Sequence, residues 1–228
     1  MDKLIALYNM DIDAFIPTIE NNSIDLILID PPYPINTNNG TNRFSQNGWI
    51  DGSSDGYNIE WYNKFSLTIE SLMRTLKEGR HFYCFVDEKN LFILKPYLDK
   101  YMTFKKVIVW HKKSFGLGYH YRNIIEYCLL YTKGKSKRHI IDQPNFFMGN
   151  KDDVDFHPTS KNTDMLRWLI RNSTDKGDVV LDGYSGSGTT AIACFKEDRN
   201  FTGCEINKDF YDKSLQRIKD AQLQLGLI

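Results

Sequence analysis

The stretch Asp178-Val179-Val180-Leu181-Asp182-Gly183-Tyr184-Ser185-Gly186-Ser187-Gly188-Thr189-Thr190 reads as a strand, a glycine loop and the opening of a helix. The apolar run before Asp182 is short and β-branched, as a strand buried on both faces requires. The glycines let the backbone approach a ligand closely, and the helix begins by pointing its N–H groups at the same place. No Lys follows the last glycine, so this is not a Walker loop, and the full G-x-G-x-x-G dinucleotide spacing is also absent. Twenty-three residues after Asp182, at the end of the next strand (Phe201–Ile206), stands Glu205, placed to hold ribose hydroxyls. Strand, loop, helix, strand and acid together describe a site for a nucleoside cofactor.

Outward from this unit, strands and helices alternate. Ile24–Ile29 is an apolar strand, and a helix over Ile59–Lys77 is stopped by Gly79. His81–Val86 is a strand, Glu88–Lys100 a helix and Phe104–Trp110 a strand. An apolar segment covers Asn123–Thr132, and helices are expected over Thr163–Asn172, Gly186–Cys194 and Asp209–Leu225. This rhythm predicts a single α/β domain over residues 1–228, a Rossmann-like, doubly wound and mostly parallel sheet. Ligands of such sheets bind at the carboxyl ends of the strands. Two polar stretches interrupt the pattern: a loop over 34–58, too long to be a simple connection and read as mobile, and an irregular segment over 134–156.

The strand Ile24–Ile29 runs into Asp30-Pro31-Pro32-Tyr33. Two prolines stiffen the chain and remove two backbone donors. A carboxylate, a rigid carbonyl and an aromatic ring are thereby fixed within four residues. Such a group suits an amine on a flat ring: Asp30 and the Pro31 carbonyl accept its hydrogens while Tyr33 offers a stacking face. The lone pair of such an amine is delocalised into the ring. Two acceptors gripping its hydrogens favour a pyramidal nitrogen and aim the pair at an electrophile.

Taken together, these blocks resemble the amino-group (adenine-N6 or cytosine-N4) DNA methyltransferases of the permuted, beta-type order. In that family a D-P-P-Y block comes first and a cofactor block, F-x-G-x-G, comes near the C-terminus. His157-Pro158-Thr159-Ser160-Lys161 resembles the family's H-P-T-x-K element, just before the cofactor strand. Trp110-His111-Lys112, Gly118, Tyr121-Arg122 and Glu126 resemble its W-x-K … G … H-E region, and Asn9-Met10-Asp11 more loosely its opening G-D. The resemblance spans about Leu4 to Leu225.

It implies S-adenosylmethionine as cofactor, and Asp30, Pro31, Pro32 and Tyr33 around the target base, with Asp30 also near the methionine amine. Asp182, Tyr184, Gly186, Gly188 and Thr189, joined by His157, Thr159 and Lys161, would line the methionine side. Glu205 would bind the ribose, and Asp11 with Ile12 would border the adenine ring. No metal is implied. The target base would be flipped out of duplex DNA. Two departures stand out: Gly183-Tyr184 where the family has Pro-Phe, and Asn162 where Pro is common.

Formal charge is zero overall, yet from Lys105 to His139 nine basic side chains face the single acid Glu126, a local +8. One basic face on an acidic body predicts a nucleic-acid groove, carried by Lys112, Lys113, Arg122, Lys133, Lys135, Lys137 and Arg138. Such residues mainly contact phosphate. The segment 134–156 occupies the place of the family's target-recognition region and is short. Asp at the head of the catalytic block favours adenine; cytosine-N4 relatives more often carry Ser, and both bases stay open, as does a cofactor- or DNA-binding homologue without turnover. Charge alone does not separate DNA from RNA. A nicotinamide dehydrogenase is disfavoured, because no second βαβ half follows the glycine loop. The resemblance further implies a cognate restriction endonuclease and a homodimer as partners. The four cysteines lack metal spacing and sit in apolar runs, so buried free thiols and a reducing cytoplasm are expected. No segment is long and apolar enough to span a membrane.

Overall fold

A computed structural model describes residues 4–33, 59–115, 120–157 and 159–224. The 34–58 loop, Gly118 and Pro158 lie outside the described residues. Eight strands form one sheet: β1 (Ile5–Tyr8), β2 (Ile24–Ile29), β3 (Leu76–Val86), β4 (Thr103–His111), β5 (Ile125–Thr132), β6 (Phe146–Met148), β7 (Val179–Asp182) and β8 (Asn200–Cys204). Their spatial order is β1-β8-β7-β2-β3-β5-β4-β6. Only β5 is antiparallel to its neighbours; every other pairing is parallel. The expected α/β, Rossmann-like fold is therefore the observed one.

Helices cover both faces. Ile27, Ile29, Phe82, Cys84, Val86 and Leu181 point into a core completed by α1 (Ile12–Phe15), α2 (Ile59–Thr75) and α3 (Glu88–Leu98). Leu26, Leu28, Tyr83, Phe85 and Val180 point to the other face, against α4 (Thr163–Ser173), α5 (Thr189–Lys196) and α6 (Lys208–Gln224). This alternation explains why Leu26–Ile29 of β2 and Val179–Leu181 of β7 read as apolar runs: both faces of these strands are buried. All four cysteines are buried free thiols, as their apolar settings predict.

Two local expectations are corrected, and one strand had none. Helix α2 ends at Thr75 rather than at Lys77, because Leu76 already pairs with Ile24 at the start of β3. Gly79, at φ +78°, kinks that strand and is held by Lys133 and Lys137 through backbone hydrogen bonds of 2.7 and 3.1 Å. Strand β1 carries no sequence signal strong enough to be foreseen; four residues on a sheet edge are too few to show a period. The polar segment 134–156 contains β6, paired in parallel with Val109–His111, so part of it closes the sheet edge.

Candidate active site

Strands β2 and β7 are parallel neighbours, with Leu26 opposite Val180 and Ile27 opposite Leu181. The Asp30 and Asp182 loops therefore leave the sheet side by side at its carboxyl edge. They open into one cleft of about 620 Å³, within the range of small-molecule sites. Its wall includes Asp30, Pro31, Pro32 and Tyr33, and also Asp11, Ile12, His157, Thr159, Lys161, Asp182, Tyr184, Gly186, Thr189 and Glu205. Residues scattered from position 11 to 205 are thus brought to one place. Gly188 is the exception. It starts α5 at φ +75° and faces Ser214 and Ile218 of α6, so its glycine serves helix packing rather than the cleft wall.

The glycine loop is braced from several sides. Asp182 Oδ2 accepts a 2.6 Å hydrogen bond from the Thr190 hydroxyl, and Oδ1 a 3.0 Å bond from the Tyr184 N–H. Burial nevertheless pushes the Asp182 carboxyl up to about 7. Glu205 accepts from Gly186 N–H and Asn207 N–H, each at 2.8 Å. Burial raises its carboxyl, and these backbone donors oppose the rise. Gly186 adopts φ +50°, and a Cβ there would lie 2.8 Å from His157 Nε2, so the close approach requires glycine. Asp11 caps α1 through the Asp13 N–H at 2.8 Å and brings Ile12 against Gly183.

Around Asp30 lies a chain of alternating charges. Lys161 Nζ is 2.6 Å from Asp30 Oδ2 and 3.2 Å from Glu126 Oε2, and Lys112 Nζ is 2.9 Å from Glu126 Oε1. Lys161 also sits 5.0 Å above the Phe85 ring. Its ammonium pairs with Asp30, and it lines the same cleft as the residues that the resemblance places around the cofactor's methionine. Burial raises the Asp30 carboxyl against the pull of Lys161. Burial would also raise Glu126, but Lys161 and Lys112 outweigh it and hold that carboxyl low. The Tyr33 hydroxyl donates to the Phe85 carbonyl, and its ring stands 5.7 Å from Trp61 at 59°, one wall of the cleft.

The single basic face is not what folds. Lys112 lines the cleft, and Lys113 and Arg122 lie in the β4–β5 connection, between the cleft-lining residues Lys112 and Asn123. Lys133, Lys135, Lys137 and Arg138 follow the end of β5, which runs opposite to β3; Thr132 pairs with His81. They lie at the other rim of the sheet, a strand length or ~20 Å away. There Lys133 Nζ donates to the Met73 and Leu76 carbonyls at 2.8 Å, closing the end of α2. Lys137 packs over Gly79, and Arg138 pairs with Asp175 at 2.9 Å. A linear count of charge missed this because an antiparallel strand separates the two groups.

Arg217 and Phe115 are not singled out in the sequence. Arg217 reaches from α6 to the Ser187 carbonyl (2.9 Å), the Thr189 hydroxyl (2.8 Å) and Asp152 (3.1 Å), holding the glycine loop from behind. Its clue is weak: an Arg between the buried Ser214 and Ile218 on the inner face of an amphipathic helix. Phe115, 67% exposed, and Tyr121, 91% exposed, lie in the β4–β5 connection between the cleft-lining residues Lys112 and Asn123, where the Arg122 guanidinium is 5.2 Å from the Phe115 ring. His157 Nδ1 and Ser185 Oγ, on two cleft-lining residues, are buried without a hydrogen-bond partner among the described residues. Unsatisfied polar atoms, two carboxylates and a glycine-lined wall fit a polar, cationic nucleoside ligand such as S-adenosylmethionine.

Residues 24–216 match the N6/N4 methyltransferase family, described as DNA methylase. Among curated proteins, the chain is 27% identical over 246 residues to a DNA adenine methyltransferase of Escherichia coli, covering 91% of this chain and 80% of that one. It is also 27% identical over 243 residues to the type II methyltransferase M2.MboI of Moraxella bovis, covering 95% and 88%. Among solved structures, the M1.HpyAVI–SAM complex superposes with a TM-score of 0.73 at 20% identity, covering 94% of this chain and 99% of that one. The cytosine-N4-specific PvuII DNA methyltransferase superposes at 0.75 with 15% identity, covering 96% and 91%. With the match covering most of its length, the chain belongs to the N6/N4 DNA methylase family.

Proposed function

We propose that the protein transfers a methyl group from S-adenosylmethionine to N6 of adenine in a base flipped out of double-stranded DNA. The observation that carries this reading is the meeting of Asp30-Pro31-Pro32-Tyr33 with the braced glycine loop and Glu205 in one cleft. When bound, the cofactor supplies a methyl group made electrophilic by its sulfonium. Asp182, Gly186 and Thr189 hold its amino-acid end, joined by Tyr184, His157 and Thr159. Glu205 holds the ribose, and Asp11 with Ile12 borders the adenine ring. Asp30 Oδ1 and the Pro31 carbonyl accept the two hydrogens of the target amine, which localises its lone pair. Tyr33 and Trp61 supply the aromatic wall that replaces lost base stacking.

Adenine is favoured by Asp at the head of the block and by the adenine specificity named for the E. coli relative. The PvuII likeness concerns the fold, which both target bases share. Lys113, Arg122, Phe115 and Tyr121 form the DNA-facing rim, with Lys112 behind them. The short 134–156 segment reads sequence only where β6 does not use it, together with the 34–58 loop, which implies a short recognition site. A cognate restriction endonuclease and pairing with a second copy complete the reading. Asp30→Ala tests it: transfer to duplex DNA is expected to vanish while S-adenosylmethionine binding by calorimetry is retained. Turnover like the unaltered protein would sink the assignment, and preference for matched RNA duplex in competition would change the substrate.

A further inference from the structure

Lys161 is held between two carboxylates that serve different purposes. Asp30 follows β2, and Lys161 Nζ stands 2.6 Å from its Oδ2, while the proposed function gives Oδ1 to the target amine. Glu126 stands on β5 and divides its oxygens, Oε2 to Lys161 at 3.2 Å and Oε1 to Lys112 at 2.9 Å. The Lys161 side chain is 13% exposed and caps the Phe85 ring, so it has little freedom to leave. Read along the chain, the charges run minus, plus, minus, plus.

From this geometry we infer that Lys161 and Glu126 are positioning residues for methyl transfer: Lys161 orients the Asp30 carboxylate, and Glu126 sets how much of the Lys161 charge Asp30 feels. The inference rests on the proposed role of Asp30 as the group that grips the amine. Without Glu126, Lys161 would pair with Asp30 alone, and a carboxylate so engaged is a weaker acceptor for the amine. Without Lys161, two carboxylates would face each other in a partly buried site and Asp30 would hold a proton to higher pH, weakening it as an acceptor. The balance of the two lets Asp30 stay ionised and still available. Other charged or titratable groups near Asp30 are Asp87 at the end of β3, Cys84 on β3, Cys128 on β5, Tyr33 in its own block and Asp182 beyond β7. None of them bridges Asp30 to a second carboxylate among the described residues.

The two substitutions therefore move Asp30 in opposite directions. Glu126→Gln removes a negative charge and leaves Lys161 wholly to Asp30, so the carboxyl titrates at lower pH. Lys161→Met removes the cation, so it titrates at higher pH. Carbon-13 NMR titration of the Asp30 carboxyl, assigned by its loss in Asp30→Asn, reads this without turnover. In methyl transfer, the acid limb of the kcat profile should shift the same ways. At its optimum, kcat should fall about 10-fold in Glu126→Gln and about 100-fold or more in Lys161→Met, with KM for S-adenosylmethionine changed less than about threefold. Shifts of one sign in both variants, or none, would overturn the inference. Should Lys161→Met fail to fold, Glu126→Gln decides alone, since an unmoved Asp30 in that variant contradicts it. Absence of transfer by the unaltered protein would count against the proposed function and leave the titration as it stands.

Discussion

A Cβ on Gly183 would lie 2.3 Å from Ile12 Cδ1 and 2.9 Å from its Cγ1. The room that a proline would need after Asp182 is filled by the first residue of α1, which explains why this chain departs from the family's Pro at that position. The departure is a paired choice across 171 residues rather than a loosening of the turn. Gly183→Ala is expected to cost about 1–2 kcal/mol and to weaken cofactor binding, since Ile12 borders the same cleft. Ile12→Val, which removes Cδ1, should restore much of that loss. A double-mutant cycle in urea denaturation measures it; additivity within about 0.5 kcal/mol would contradict the pairing.

Cofactor affinity should depend on pH through Asp182. Its carboxyl is pushed by burial up to about 7, against 3.8 in an unfolded chain. With a raised folded value, the protonated form favours the fold below about 3.8, and that contribution is lost as pH rises through about 7. A cationic ligand prefers the ionised form, so binding expels the proton. Calorimetry with S-adenosylmethionine at pH 6, 7 and 8 should show affinity rising by up to about tenfold per unit below the titration point and levelling above it. Asp182→Asn should remove the dependence.

Glu205 braces the loop in addition to its proposed hold on the ribose. Its two oxygens each accept one backbone N–H, from Gly186 and Asn207. Glutamine would turn a second donor toward one of them. Glu205→Gln should therefore lower stability by about 1–2 kcal/mol in addition to weakening cofactor binding. Unchanged thermal unfolding in the absence of cofactor would show that the bracing is immaterial.

Charge substitutions separate the two rims. Lys113→Ala and Arg122→Ala should weaken duplex binding and each reduce the slope of log K against log salt by about one. Lys133→Met removes the donor that closes α2 at Met73 and Leu76. It should cost about 1–2 kcal/mol of stability and leave the salt slope unchanged. A reduced slope in Lys133→Met would restore the single basic face.

The strands β2 and β7, the glycine loop and the Asp30 block were legible because each is local: a run of apolar residues or a motif of a few positions. Glu205 was legible by its distance from Asp182. What escaped are relationships that only folding creates. The start of β3 directly after α2 depends on pairing with Ile24, and β6 depends on the free edge of β4. Lys161 reads as one residue of a motif, yet its partners Asp30 and Glu126 stand on different strands. The four basic residues after Thr132 read as one face with Lys112, Lys113 and Arg122 because sequence distance does not report strand direction.

The most direct test is incubation of the purified protein with tritium-labelled S-adenosylmethionine and unmethylated genomic DNA, followed by digestion and chromatography of the nucleosides. The account predicts label in N6-methyladenine. Label in N4-methylcytosine would contradict the choice of base, and no label in either, with the cofactor bound, would contradict the proposed methyl transfer to DNA.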